Sequence, residues 1–328
     1  VPPFNLKIQD KQFWITFLYQ NHLLEYYNDY ILYINGGNKI ENYICNEFGN
    51  QSPTIRLMYN DNSNKELLLI IESWGVINNS ISQHNFINYI REDFRCNKKL
   101  FQFYKLTYGE TCFHGNTSSA EGRELLNMNN EESYRAFLIK GANPSYNIVK
   151  FKNLNKYYTV AAFSGSKVYG SNWSNAEGFR RKLGFNSRFY FEELHKFKNI
   201  NKENTYNAVN DEVMIDSLIN ISTFHQKIFA YGLTINTHVP FKLDKENIDL
   251  IDYSNFTKKF IKIFDDKSIA NDQFYRISKI IQHTLKKISF RKNSFDKVLI
   301  IGDHASPELS SRYLFNQDRV PFLLIERK

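Results

Sequence analysis

Short, unbroken apolar runs separated by segments of helical period restrict the fold of this chain more than any other feature. Leu67-Leu68-Leu69-Ile70-Ile71 is the clearest run, and five apolar residues without alternation mark a strand buried on both faces. Tyr157–Phe163, Phe229–Ile235, Val298–Ile301 and Val320–Ile325 read the same way. Between them, Ser118–Met128, Ala176–Leu183, Asp211–Ile219 and Ser268–Ile288 carry helical periodicity. Strands alternating with helices predict an α/β domain with a mostly parallel central sheet covered by helices on both faces. No repeat or linker interrupts the pattern. The aromatic, Asn-rich residues 1–60, with a helix over Phe13–Tyr30, are expected to form a lead-in segment packed on a main domain spanning 61–328.

Composition narrows the class. With 42% apolar and 23% charged residues, the chain has enough apolar surface to bury a core and is not a disordered polyelectrolyte. No apolar run approaches the roughly 18–20 residues needed to cross a bilayer, and no signal peptide opens the sequence. The start at Val1-Pro2-Pro3 suits the excised soluble part of a larger protein. The net charge of +8 comes from lysines scattered among acidic residues. It carries no zinc-finger, RNA-recognition or basic-zipper signature, so nucleic acid is not an expected partner. A mildly basic surface does suit anionic phospholipid head groups. Cys45, Cys96 and Cys112 lack CxxC spacing, which excludes a zinc knuckle or a thioredoxin-like site. A disulfide such as Cys45–Cys96 is one reading, compatible with a location outside the cytosol; three buried thiols is the other.

Ligands of open α/β sheets sit beyond the carboxyl ends of the strands, so the residues after each run locate the site. Glu72-Ser73-Trp74-Gly75 follows the first run, Asn236-Thr237-His238 follows Phe229–Ile235, and Gly302-Asp303-His304 follows Val298–Ile301. Carboxylate and imidazole donors without a thiolate suit a hard-to-borderline divalent cation. A fourth element, Gly115-Asn116-Thr117-Ser118-Ser119-Ala120-Glu121, has capping-box spacing between Ser118 and Glu121. Thr117 then stands at a helix N-terminus, which favours a phosphate. There it serves either as a cap residue or as a metal-activated nucleophile. Nothing local separates it from Ser118 or Ser119.

Taken together, the strand ending in ESWG, the G-N-T-S-S-A-E segment, the later T-H-V-P-F segment and the final I-I-G-D-H resemble the alkaline phosphatase/sulfatase superfamily. They are most similar to its lipoteichoic acid synthase and phosphoglycerol transferase branch. That branch shows Glu-Ser after a strand, Gly-x-Thr-Ser-x-Ala-Glu, Ser-His-x-Pro-Phe and Gly-Asp-His in this order, and the resemblance covers Leu67 to Ile325. It implies that 61–328 is a sulfatase-like catalytic domain with Thr117 as nucleophile. Glu72, Thr117, Asp303 and His304 would hold one divalent metal ion, manganese first, with zinc or magnesium as alternatives. His238 would contact the phosphate or the leaving group.

The implied reaction is a phosphotransfer. A phospholipid head-group phosphate, as phosphoglycerol or phosphoethanolamine, passes through a phosphothreonine to a cell-envelope glycan or lipid acceptor. The membrane surface is then a partner, and the domain lies on the extracytoplasmic face of a bacterial cytoplasmic membrane. A phosphodiesterase or phosphatase with the same nucleophile, and a non-catalytic glycan- or lipid-binding relative, are the alternatives. A sulfatase is disfavoured because no Cys/Ser-x-Pro-x-Arg segment is present.

Two departures touch the head-group pocket. Where the branch has Phe-His at a strand end, this chain reads Phe163-Ser164, and Trp173-Ser174-Asn175-Ala176 places alanine where an arginine is usual. Ser164, Lys167, Trp173, Asn175 and His114 are therefore candidate substrate contacts of a different pocket. Gly109-Glu110-Thr111 resembles the Gly-Glu-Thr of phosphoethanolamine transferases. Phe101–Leu106 before it is a poor strand, however, and Glu72 already fills the metal role, so Glu110 reads as a surface or supporting group.

Overall fold

The order of strands in the sheet explains why the sequence signals fall where they do. A computed structural model describes residues 51–328 except 114, 129–136, 138–140, 142, 169–175, 198–207, 239–242, 244–247, 261–268, 291–293 and 307–314. The expected Phe13–Tyr30 helix, Cys45, His114, Trp173 and Asn175 lie outside the described residues. Along the first half run α1 (Pro53–Met58), β1 (Lys65–Ile71), β2 (Val76–Ile77), α2 (Ser80–Cys96), α3 (Lys98–Phe103), β3 (Tyr104–Cys112), α4 (Thr117–Leu126), α5 (Ile148–Leu154) and β4 (Tyr158–Phe163). The second half continues with α6 (Ala176–Leu183), β5 (Ser187–Phe189), α7 (Phe191–Leu194), α8 (Asp211–Ser222), β6 (Ile228–Leu233) and α9 (Leu250–Phe260). It closes with α10 (Ile269–Phe290), β7 (Lys297–Gly302), β8 (Phe315–Asn316) and β9 (Arg319–Arg327).

The main sheet has seven strands in the order β3-β9-β7-β1-β6-β4-β5, and β2 pairs with β8 separately. β7, β1, β6, β4 and β5 are parallel to one another, while β9 runs antiparallel between β3 and β7. The expected α/β class with a mostly parallel sheet is thus observed. The unbroken apolar runs are its central strands: β6 and β7 are buried at every position, as is β1 after Lys65. Successive side chains leave a strand on opposite faces. Leu67, Leu69 and Ile71 accordingly join a core with Phe86, Leu218, Phe274 and Ile281 from α2, α8 and α10. Leu68 lies level with Tyr231 of β6, whose hydroxyl reaches Glu121 of α4 at 2.6 Å. That face therefore carries α4.

Three expectations change. Val320–Ile325 is a strand, but an antiparallel one. The weak Phe101–Leu106 signal divides between the end of α3 and the start of β3. Cys96 is a free, exposed thiol and Cys112 is disulfide-bonded, so neither a Cys45–Cys96 bridge nor three buried thiols describes the cysteines. Cys96 ends α2 on its exposed side.

Candidate active site

Parallel register assembles the site. Ile70 is level with Leu233 of β6 and Ile301 of β7, and Ile71 is level with Gly302. The chain therefore leaves all three strands at one edge, presenting Glu72, the 234–238 turn and Asp303-His304 together. Gly302 is required at this crossing, because a Cβ there would stand 1.9 Å from the Trp74 carbonyl oxygen. The backbone N–H of Ser73 donates to Asp303 Oδ1 at 2.7 Å, and its hydroxyl donates to Glu72 Oε1 at 3.1 Å. Ser73 makes these contacts from the left-handed region, at φ 57°, which costs a non-glycine residue about 1 kcal/mol.

Thr117 arrives from the other side. Gly115, at φ 155°, has no room for a side chain: a Cβ would meet the Phe113 ring at 2.9 Å and Ser119 at 3.0 Å. The N-cap of α4 is Asn116, whose Oδ1 accepts from the Ser119 N–H at 3.0 Å. The expected Ser118–Glu121 capping box is therefore not the device used. Glu121 instead accepts from Arg180 Nη2 and Tyr231 Oη, each at 2.6 Å. Arg123 Nη2 donates to the Gly302 carbonyl at 3.2 Å, and Glu124 accepts from the Thr54 N–H at 3.0 Å. These bonds tie α4 to β6, β7 and α1, and they hold Thr117 at the first helical position.

The result is a close cluster. Thr117 Oγ1 donates to Glu72 Oε2 at 3.0 Å and lies 3.2 Å from His304 Nε2. His304 Nε2 is 3.3 Å from both Glu72 Oε1 and Asp303 Oδ2. His304 Nδ1 donates to the Ala305 carbonyl at 2.7 Å, which turns Nε2 towards the carboxylates. Carboxylate and imidazole atoms of Glu72, Asp303 and His304 all lie within 4.8 Å of one another. These residues suit one divalent cation: two oxygen donors and one imidazole, and a buried Asp303 Oδ2 that accepts no hydrogen bond. A lone buried carboxylate oxygen costs free energy that a cation would offset. The Nδ1–H···O=C bond is the kind of outer support metal-bound histidines use.

Electrostatics describe the same cluster without a cation. Burial alone would raise Glu72, but the charge of His238 and the bond and charge of His304 outweigh it and hold the carboxyl well below its usual range. Burial and then the Glu72 charge push Asp303 well up. Burial would lower His304, yet Asp303 and Glu72 carry it up to about 10. A proton on His304 therefore offsets the charge on Glu72, as a bound cation would.

His238 belongs to this site through its charge on Glu72, and its loop is firmly placed. Asp211 accepts from the Ile235 and Asn236 N–H groups, both at 3.1 Å. Gln273 Nε2 donates to the Thr237 carbonyl at 2.6 Å, and Thr237 Oγ1 donates to the Glu72 carbonyl at 2.5 Å. Ser164 is fully buried, its hydroxyl 3.6 Å from Met214 Sδ and bonded to Asp211; Lys167 is exposed on the loop after β4. Glu110 stands on β3, away from the cluster, accepting from Tyr108 Oη at 2.5 Å. Arg180, Asp211 and Gln273 are supports that motif reading missed, because their partners lie on other elements.

The fold is alkaline phosphatase-like. No family model and no curated protein matches the sequence. Among solved structures, a protein in the alkaline phosphatase superfamily from Vibrio parahaemolyticus matches with TM-score 0.56 and 15% identity, over 82% of this chain and 62% of its own. The lipoteichoic acid synthase LtaP from Listeria monocytogenes matches with TM-score 0.51 and 16% identity, over 80% of this chain and 65% of its own. The Streptococcus pyogenes phosphoglycerol transferase GacH, in complex with sn-glycerol-1-phosphate, matches with TM-score 0.53 and 17% identity, over 80% of this chain and 68% of its own. The chain thus spans less than two thirds of the first two, and identities this low establish the fold alone.

Proposed function

We propose that this chain is a metal-dependent phosphotransferase that moves a phospholipid head-group phosphate through a phosphothreonine at Thr117 onto a cell-envelope glycan or lipid. The observation that carries the reading is the position of Thr117 Oγ1, within 3.0 Å of Glu72 Oε2 and 3.2 Å of His304 Nε2. Glu72, Asp303 and His304, with Thr117, would hold one divalent cation, manganese in the first instance. Such a cation lowers the pKa of a bound hydroxyl and neutralises charge on phosphoryl oxygens.

In the first step the Thr117 proton leaves along its hydrogen bond to Glu72, and the Thr117 Oγ1–phosphorus bond forms. The bond from phosphorus to the diacylglycerol oxygen breaks, and His238 supplies a proton to that oxygen. In the second, an acceptor hydroxyl gives its proton to His238 and attacks phosphorus, and the threonine oxygen leaves and recovers its proton. The N-terminus of α4, held by Asn116, offers backbone N–H groups and a favourable dipole to the phosphate. The donor lies in a membrane, so the reading places the domain on the extracytoplasmic face of a bacterial cytoplasmic membrane. Among the described residues no helix is long and apolar enough to cross one.

Incubation with manganese and vesicles of phosphatidylglycerol or phosphatidylethanolamine, followed by intact-mass measurement, tests this reading. A head-group-phosphate adduct is expected, absent from Thr117→Ala, with turnover reduced at least about 10³-fold. No adduct with either donor overturns the transferase; turnover of a chromogenic phosphodiester without acceptor makes the enzyme a hydrolase. Elemental analysis identifies the metal.

A further inference from the structure

Ser73 holds a backbone conformation that serine rarely adopts, and no helix end explains it. Asn127 and Lys156, the other described non-glycine residues at positive φ, stand just past the ends of α4 and α5, where a left-handed residue commonly closes a helix. Ser73 instead follows the carboxyl end of β1, at φ 57°, and is fully buried. Backbone strain of this kind persists where the surrounding structure over-determines it, and it gathers at functional sites.

The hydrogen bonds show what the conformation achieves. The Ser73 N–H donates to Asp303 Oδ1 at 2.7 Å, and the His304 N–H donates to the same oxygen at 2.5 Å. The Ser73 hydroxyl donates to Glu72 Oε1 at 3.1 Å. One residue thus engages one oxygen on each of the two carboxylates. The second oxygens face the rest of the cluster. Glu72 Oε2 accepts from Thr117 Oγ1 at 3.0 Å. Asp303 Oδ2 lies 3.3 Å from His304 Nε2 and is buried without accepting a hydrogen bond.

We infer that Ser73 is a positioning residue that makes Glu72 and Asp303 one-oxygen ligands and thereby selects the cation. The inference rests on the metal site proposed above and adds the basis of its selectivity. With Oε1 and Oδ1 engaged, the protein offers Glu72 Oε2, Asp303 Oδ2, Thr117 Oγ1 and His304 Nε2. That set is small and includes a nitrogen. Calcium takes roughly six to eight oxygens and readily uses both oxygens of a carboxylate. A smaller transition-metal cation needs fewer protein donors and accepts imidazole. Releasing Oε1 would let Glu72 offer both oxygens, which favours the larger ion.

Calorimetric titration with manganese and, separately, with calcium tests this in the parent, Ser73→Ala and Ser73→Gly proteins. Both substitutions keep the N–H that holds Asp303 and remove the hydroxyl that engages Glu72. Manganese affinity is expected to fall about tenfold in both, the effect of losing outer support for a metal ligand. Calcium affinity is expected to stay within about twofold of the parent, so the manganese preference shrinks about tenfold. Glycine adopts positive φ freely, so metal-free Ser73→Gly protein should melt above Ser73→Ala while binding manganese equally weakly. An affinity that follows melting temperature overturns the inference, because Ser73 would then act only through the fold. Unchanged manganese affinity overturns it too, as does an equal fall for both cations or a parent protein without preference for manganese. Intact mass after incubation with manganese and vesicles of phosphatidylglycerol or phosphatidylethanolamine separates it from the transferase reading. If no adduct forms but the preference depends on Ser73, the inference stands and the transferase falls. If the adduct forms and the preference ignores Ser73, the inference alone falls.

Discussion

Glu66 enters β1 and Glu72 follows its end, and both carboxylates are buried, yet the groups that face them differ. Glu66 meets Lys152 Nζ at 2.7 Å, with both side chains fully buried and Glu66 Oε2 accepting no hydrogen bond. Burial outweighs the lysine's attraction and pushes Glu66 up to about 8. Glu72 feels the same burial, but His238 and His304 hold it low. A lysine is a permanent partner built into the interior, and it makes one end of the strand structural. An imidazole can lose its proton to solvent when a cation takes its place, so the other end of the same strand can exchange charge with a ligand.

Removing Lys152 tests the structural end most severely. Lys152→Met leaves Glu66 without its partner and is expected to lower the unfolding free energy by about 3 kcal/mol. Chemical denaturation measures that loss, while manganese affinity stays at the parent value. A matching fall in metal affinity would dissolve the distinction between the two ends.

Asp303→Asn acts on the exchanging end. It removes an oxygen that accepts no hydrogen bond, so calorimetry is expected to show manganese binding at least about 100-fold weaker with no loss of melting temperature. Retained metal affinity would remove Asp303 from the ligand set.

The exchange itself has a pH signature. His304 holds its proton up to about 10 in the metal-free cluster, and a metal must displace that proton. Manganese affinity should therefore rise with pH, by up to about tenfold per unit where one proton is released. Calorimetry in buffers of different ionisation enthalpy counts the protons; a pH-independent affinity would count against the exchange.

A second pH signature belongs to Glu66. Its ordinary value is 4.5 and its folded value about 8, so between these the unfolded chain binds fewer protons. Its contribution to stability is whole below about 4.5, falls as pH rises through the window, and levels off above about 8. Glu66→Gln should flatten that slope in denaturation curves collected across the range; an unchanged slope would assign it to other groups.

Much of the architecture could be read before any coordinates. The runs at Leu67–Ile71, Phe229–Ile235 and Val298–Ile301 were legible because β1, β6 and β7 are buried on both faces, which leaves little place for polar residues. β3 escaped notice because its middle positions are only half-buried, so it shows neither an unbroken run nor a clean alternation. α2 carried a signal that was passed over: Phe86, Ile87, Ile90 and Phe94 are spaced for one helical face, and all are buried. In the candidate site, Glu72, Thr117, Asp303 and His304 come together as their motifs implied, and His238 acts on Glu72. The capping box was misassigned because Ser118 and Glu121 have the right spacing, whereas Glu121 is claimed by Arg180 and Tyr231 from distant parts of the chain.

The sequence by itself determined which segments are central strands and which polar residues stand at their carboxyl ends, because burial on two faces and chain direction are local properties. Only the tertiary structure decided that Thr117 Oγ1 stands within hydrogen-bond reach of Glu72 and His304, and that Asp303 Oδ2 is buried without accepting a hydrogen bond. Those facts depend on strand register and on contacts between residues far apart in the chain, and no local pattern encodes where a distant side chain will end.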